Sequence, residues 1–394
     1  MKKLLFLGGA RAQIPAIIRA KELGYYTITC DYLPENPGHA YSDKYENIST
    51  VDREKVYELA YRENVDGIIA YASDPSAPSA AYVCGKMNLP GASYEATKIL
   101  TEKDLFREFQ KKNGFLVPWF FSVSTVNELK GIKQKISYPC VVKPVDCSGS
   151  KGVQVISTSE QMSTAVEIAL SFSRCKRAII EEYIVTQHCQ LHGDGIVENG
   201  KLEFLALGDQ RFRASVPIGS SFPSKMDSNI MEKTIKEVAR LIELSEFKCG
   251  AINVEVRVSD NNDIYIIEIG PRAGGNYIPQ LMELATGVDE MTATLKLAMG
   301  ETYEINASDT MTYCFQYIVG SDSDGIFQEL YIDDYMKEKV VKSYIHKIKG
   351  DAVQDYKNSN GVVGVVLLKF GGMAEMDSDI KSIKDHIKVI VKDA

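Results

Sequence analysis

Residues 251–275 read Ala251-Ile252-Asn253-Val254-Glu255-Val256-Arg257-Val258, then Ser259-Asp260-Asn261-Asn262-Asp263, then Ile264-Tyr265-Ile266-Ile267-Glu268-Ile269-Gly270-Pro271-Arg272-Ala273-Gly274-Gly275. The β-branched runs predict two strands, and the polar cluster between them predicts a hairpin turn. A loop over 260–263 pairs Ser259 with Ile264, and counting back sets Glu255 opposite Glu268 with Cβ atoms ~5 Å apart on one face. Like charges at that distance repel. A proton shared between the carboxyls would relieve the clash. So would a hard cation such as Mg²⁺, which takes carboxylate oxygens together with phosphates. A register shift that turns one glutamate to solvent is the plain alternative.

The surrounding chain narrows the choice. At 394 residues it is longer than one hydrophobic core usually serves, so two to four domains are expected. A net charge of −8 argues against a nucleic-acid surface. The eight cysteines, at 30, 84, 140, 147, 175, 189, 249 and 314, form no CxxC pair, which points to free thiols in a reducing cytoplasm and to no zinc site. The apolar runs 4–7 and 361–370 are too short for a signal-peptide core or a bilayer span, so a cytoplasmic, membrane-free protein is expected.

Residues 3–7 predict a buried strand, 12–23 a helix, 25–30 a second strand and 67–71 a third, followed by a helix over 77–87. Alternating strands and helices imply a doubly wound parallel sheet over residues 1–100. Gly8-Gly9-Ala10-Arg11 lacks the GxGxxG spacing of a dinucleotide site, so a nicotinamide-dependent oxidoreductase is poorly supported. A helix at 102–112 leads to Gly114 and Pro118. A strand carrying Lys143 then precedes the loop Asp146-Cys147-Ser148-Gly149-Ser150-Lys151-Gly152. That loop joins two strands and so is not a P-loop, yet its glycines and serines offer backbone N–H groups to a phosphate. Residues 178–185 predict a strand followed by a linker, 229–244 a helix, 311–319 and 362–369 strands, and 378–386 a terminal helix.

In this order, the strand lysine, the glycine-serine loop, Glu181-Glu182-Tyr183-Ile184, the paired glutamates and Pro271-Arg272-Ala273-Gly274-Gly275 resemble the ATP-grasp superfamily, in its carboxylate–amine ligase branch, across roughly residues 1–300. The resemblance implies an α/β fold. An N-terminal Rossmann-like domain (1–100) would be followed by a small lid (101–190), a large subdomain with the metal site (191–305) and a C-terminal α+β domain (306–394). It implies ATP and Mg²⁺ as cofactors, with Mn²⁺ able to substitute. It also implies small-molecule carboxylate and amine substrates, and a homodimer is a compatible assembly.

Residue by residue, Lys103 and Lys143 match phosphate-contacting lysines, and Ser148, Gly149, Ser150 and Gly152 match the loop that closes over the β and γ phosphates. The side chain of Glu181 and the backbone of Glu182, Tyr183 and Ile184 match the adenine-reading hinge. Glu255 and Glu268 match the metal carboxylates, and Arg272 matches the arginine that steadies the transferred phosphoryl group. Two departures stand out. His188 lies near the family's ribose-binding glutamate. Gly270 stands where many members have an asparagine that helps hold a second metal. Lys143, Glu268 and Arg272 are the expected catalytic groups. Asp74, Arg211, Arg213, Arg272 and Asn276 are candidates for the substrate pocket, and His188 and His192 read as peripheral. Activation of bicarbonate and nucleotide binding without catalysis are the rival functions.

Overall fold

The strand Lys3–Leu7 alternates its burial between two cores, which is why its sequence is continuously apolar. Leu5 and Leu7 join Ile28, Val56 and Leu59 on one face. Leu4 and Phe6 join Ile17, Met291 and Leu295 on the other. Lys3–Leu7 pairs in parallel with Tyr26–Cys30 and Gly67–Ile69, and Lys44–Glu46 adds a fourth parallel strand that the sequence reading lacked. The computed structural model describes residues 1–213, 216–357 and 361–392. The glycine turn after the first strand is filled by protein: a Cβ on Gly9 would lie 2.1 Å from the His39 ring. Gly9 is therefore explained by close packing of the 37–41 turn.

A second, four-stranded antiparallel sheet is built from Phe120–Val123, Ala178–Glu182, Cys140–Pro144 and Gln154–Ile156, in that spatial order. The helix Met162–Phe172 covers it, burying Ala165, Val166 and Ala169 against Val142 and Ile180. Lys143 and Glu181 thus come from neighbouring strands.

The largest sheet has eight strands, in the order Ile264–Gly270, Gly250–Val258, Gln190–Glu198, Lys201–Arg213, Val216–Phe222, Cys314–Gly320, Val362–Lys369 and Val340–Ile345. Two expectations fail here. The stretch after residue 185, read as a linker, supplies three central strands. Gly193, Gly195, Gly208 and Gly219 interrupt its apolar pattern, but each lets a neighbouring backbone approach. A Cβ on Gly193 would sit 1.9 Å from the Ala206 carbonyl oxygen. The C-terminal segment also runs across the expected 305/306 boundary, because three of its strands extend the same sheet. Its other strands, Gly325–Ile332, Ala352–Val353 and Ile387–Lys392, form a small separate sheet, the last of them following helices Met373–Lys381 and Ile383–His386. Among the described residues, no helix is long and apolar enough to cross a membrane.

Candidate nucleotide and metal site

The two glutamates face each other as the sequence predicts, but by a different route. The ladder starts at Val258–Ile264, one residue earlier than expected, because Ser259 closes the turn by donating its N–H to the Asp263 carbonyl (2.9 Å). That register alone would set Glu255 against Ile267. A bulge between Glu255 and Val256 inserts Ile267 and restores the Glu255–Glu268 pair.

Arg107 holds the bulge. It is fully buried on the helix Lys103–Lys112 and donates to the carbonyls of Ile266 (3.3 Å) and Ile267 (2.9 Å), and through Nε to Glu181 (3.1 Å). Gln110 adds a second donor to Ile266 O (2.9 Å). One guanidinium therefore links the register of the glutamate hairpin to the lid strand Ala178–Glu182. The other oxygen of Glu181 pairs with Lys143 Nζ.

The remaining charges converge on the same space. Lys103 Nζ donates to the Cys147 carbonyl (2.9 Å) at the root of the glycine-serine loop and stands 3.4 Å from Glu268. Arg272 forms a bidentate pair with Asp74 of the N-terminal sheet, Nε to Oδ1 at 2.9 Å and Nη2 to Oδ2 at 2.8 Å. This pair accounts for Gly270: a Cβ there would fall 2.6 Å from Asp74 Oδ1. Asp74, Lys103, Lys143, Ser148, Gly149, Ser150, Glu255, Glu268, Arg272 and Asn276 all line one cavity of about 350 Å³. A second polar cavity of about 210 Å³, bordered by Arg53, Tyr94 and Arg174, adjoins it through Asp74, Lys103 and Glu268.

Burial and Glu268 push the Glu255 carboxyl up to about 7, against the pull of Lys143, Arg272 and Lys103. Burial alone would also raise Glu181, but Arg107 and Lys143 outweigh it and bring it down to about 2. Lys143 is lowered by desolvation despite Glu181. Lys103 rises because Glu268 and Asp74 overcome its burial. A raised carboxyl beside a second carboxylate and three cations is a site prepared for a divalent cation and phosphates. Among the described residues, no cluster of three or more His, Cys, Asp or Glu side chains could hold an ion alone. The residues fit Mg²⁺ carried in on a nucleotide, with Glu255 and Glu268 as its protein oxygens.

Several predicted residues lie elsewhere. The Glu181 carboxylate, expected at adenine, is 3% exposed and spent on Lys143 and Arg107. The backbone of the rest of the hinge is also engaged within the protein, the Glu182 N–H donating to the Trp119 carbonyl (3.0 Å). Arg257 lies 4.9 Å from the Tyr183 ring and takes the Ile184 carbonyl (2.8 Å), and Glu182 accepts from Trp119 N (3.4 Å). Gly152 has φ +73° and no room for a Cβ beside Phe172 and Pro144, so its role is to turn the loop. His188 is exposed, its N–H on Thr186 Oγ1 (3.1 Å). Arg211 and Arg213 project from the opposite face of their strand to Gln210. Arg211 reaches Asp209 (3.3 Å) and Asp377 (3.4 Å), and Arg213 pairs with Asp322, so neither borders the cavity.

The sequence reading missed the strand Gln190–Glu198. Gln190 donates to Glu255 (3.0 Å), and His192 borders the cavity with its Nδ1 2.8 Å from Ser220 Oγ. Burial and Arg272 push His192 down to about 4, so it is a neutral wall residue at physiological pH. The signal was present in the spacing: Gln190, His192 and Asp194 stand two apart, the period of one strand face.

Residues 136–280 match the ATP-grasp domain family. That stretch of the chain is therefore similar to ATP-grasp domains. The chain is 26% identical over 257 residues to an uncharacterized protein, y4rH, of Sinorhizobium fredii, which covers 64% of this chain and 52% of that one. It is 26% identical over 308 residues to the carbamoyl phosphate synthase large chain of Thermotoga petrophila, which covers 75% of this chain and 27% of that protein. The chain thus spans about half of the first relative and about a quarter of the second. Its fold is similar to that of an L-amino acid ligase from Bacillus licheniformis, with a TM-score of 0.84 and 19% identity over 100% of this chain and 99% of the other.

Proposed function

We propose that this protein is an ATP-dependent ligase. It phosphorylates a carboxylate substrate to an acyl phosphate and couples that to an amine, releasing ADP and phosphate. The observation that carries the reading is the Glu255–Glu268 pair set opposite Lys103, Lys143 and Arg272 across one cavity. Phosphoryl transfer requires positioning and positive charge around the transferred group more than covalent chemistry, and these residues meet that need.

Glu255 and Glu268 would hold Mg²⁺, which neutralises phosphate charge when bound. Lys103 and Lys143 face the phosphates, and the Ser148–Gly149–Ser150 backbone covers them. Arg272 orients the carboxylate or the transferred phosphoryl group once Asp74 yields it. Closure of the 147–152 loop keeps water from the acyl phosphate. The adenine lies against the backbone of residues 182–184. The substrates are small molecules, the setting is the cytoplasm, and neither nucleic acid nor membrane takes part. A homodimer is compatible with this reading.

The likeness to a carbamoyl phosphate synthase chain supports a second reading, in which the activated acid is bicarbonate. Phosphate release from MgATP, measured with single amino acids, with pairs of them and with bicarbonate, separates the readings. Stimulation by an amino acid or by an acid–amine pair supports the first, and stimulation by bicarbonate alone supports the second. ATP binding with no stimulated turnover by any of them contradicts both.

A further inference from the structure

Beneath the Arg272 loop lies a pair of acidic side chains that phosphate transfer does not use. Asp194 and Glu290 are both 0% exposed. Asp194 is well supplied with donors, accepting from Asn253 Nδ2 at 2.6 Å and from the Gly274 N–H at 2.7 Å. Glu290 has none, since neither of its carboxyl oxygens meets a donor among the described residues. It opens the helix Glu290–Ala298 and faces Asp194 within hydrogen-bonding reach. A buried carboxylate with no donor and no counter-ion in contact is too costly to stay ionised, so it must carry a proton.

We infer that Glu290 is a buried carboxylic acid that donates its proton to Asp194, and that this shared-proton pair is the anchor that positions the 270–275 loop and, with it, Arg272. The geometry is specific. Asp194 Oδ2 holds the Gly274 N–H, two residues beyond Arg272. A Cβ on Gly274 would lie 2.8 Å from both Asp194 oxygens, so the glycine is required by how closely the loop sits on the pair. Asn253 carries the contact onward to His192 Nε2 (3.1 Å), in the cavity wall. The charged groups facing the pair are Arg272, which favours ionisation, and Asp289, which opposes it at Glu290; burial and the pair in turn keep the neighbouring Tyr71 phenol neutral. The Tyr71 hydroxyl is itself buried without a partner. Burial holds Asp194 high, at about 6, against the hydrogen bonds of Asn253, Gly274 and Glu290 and the charge of Arg272, while burial and Asp194 push Glu290 well above the ordinary carboxyl range, so the two together retain one proton through neutral pH.

Glu290 is thus a positioning residue, and Glu290→Gln is the variant that tests it. A glutamine amide donates to Asp194 as the protonated acid does, whereas Glu290→Ala removes the donor. Infrared difference spectra of the nucleotide-free protein at pH 8 compare wild type with Glu290→Gln. The expected result is one carbonyl band of an un-ionised carboxyl in wild type, absent from the variant. Glu290→Gln should keep the wild-type melting temperature at pH 8 while Glu290→Ala loses several degrees. It should also remove the wild type's fall in melting temperature between pH 5 and 8. Identical infrared spectra of wild type and Glu290→Gln, or a Glu290→Gln protein as unstable as Glu290→Ala, would overturn the inference. No nucleotide or substrate enters these measurements, so their outcome is independent of the ligase reading.

Discussion

Replacing Arg107 with methionine should unfasten the metal hairpin from the lid. Methionine fills much of the same volume but removes the donors to Ile266 O, Ile267 O and Glu181. Breaking a buried pair by removing one partner costs roughly 3–5 kcal/mol, because the other charge stays buried. The Glu181 carboxyl gives a second measure. It is held at about 2 against an ordinary 4.5, which corresponds to about 3 kcal/mol at ~1.36 kcal/mol per tenfold change in acidity. Lys143 remains to share that load, so a loss of about 3 kcal/mol is expected. The sign follows from a depressed carboxyl. Its stabilisation is present above pH 4.5 and disappears as pH falls toward 2, so Arg107→Met should also flatten the acid limb of the stability curve. Urea denaturation at pH 7 and pH 3 measures both effects, through the midpoint at unchanged slope. A loss below about 1 kcal/mol at pH 7 would refute the assignment of Arg107 as the buried clamp.

Three further outcomes follow. Glu255 sits at about 7, so binding of Mg²⁺ to the ADP complex should release about half a proton at pH 7 and about a tenth at pH 8. Calorimetry in buffers of different ionisation enthalpy reads this, and Glu255→Gln should abolish it. Gly193→Ala places a Cβ against the Ala206 carbonyl and should cost roughly 3 kcal/mol, seen as a lower urea midpoint, while Gly85→Ala, on open helix surface, should be neutral or stabilising. Asp74→Asn should weaken the hold on Arg272 and increase the cleavage of Arg272-side peptide bonds in limited proteolysis of the nucleotide-free protein.

What the sequence revealed was local. The hairpin, the strand lysine and the glycine-serine loop each carry their own pattern, and all of them come to one cavity. The Glu255–Glu268 pairing was predicted on a turn one residue too long and survives because the bulge at Ile267 compensates. A bulge leaves no residue signature when β-branched residues flank it, as here. The three central strands over 190–222 were hidden because they are held by close backbone approach and buried polar pairs, and glycine, histidine and aspartate depress the strand signal. Arg211 and Arg213 were placed by proximity in sequence alone, and strand alternation turned them to the opposite face. Arg107, Asp194 and Glu290 were invisible as well, because their roles depend on contacts between residues 74 to 160 positions apart.

The central claim is that Glu255 and Glu268 share one divalent cation brought in with nucleotide. Mn²⁺ titration followed by electron paramagnetic resonance, with and without ADP, tests it directly. Wild type should bind Mn²⁺ tightly when ADP is present, and Glu268→Gln should lose that binding while still taking up ADP. Unchanged Mn²⁺ affinity in both Glu255→Gln and Glu268→Gln would contradict the account.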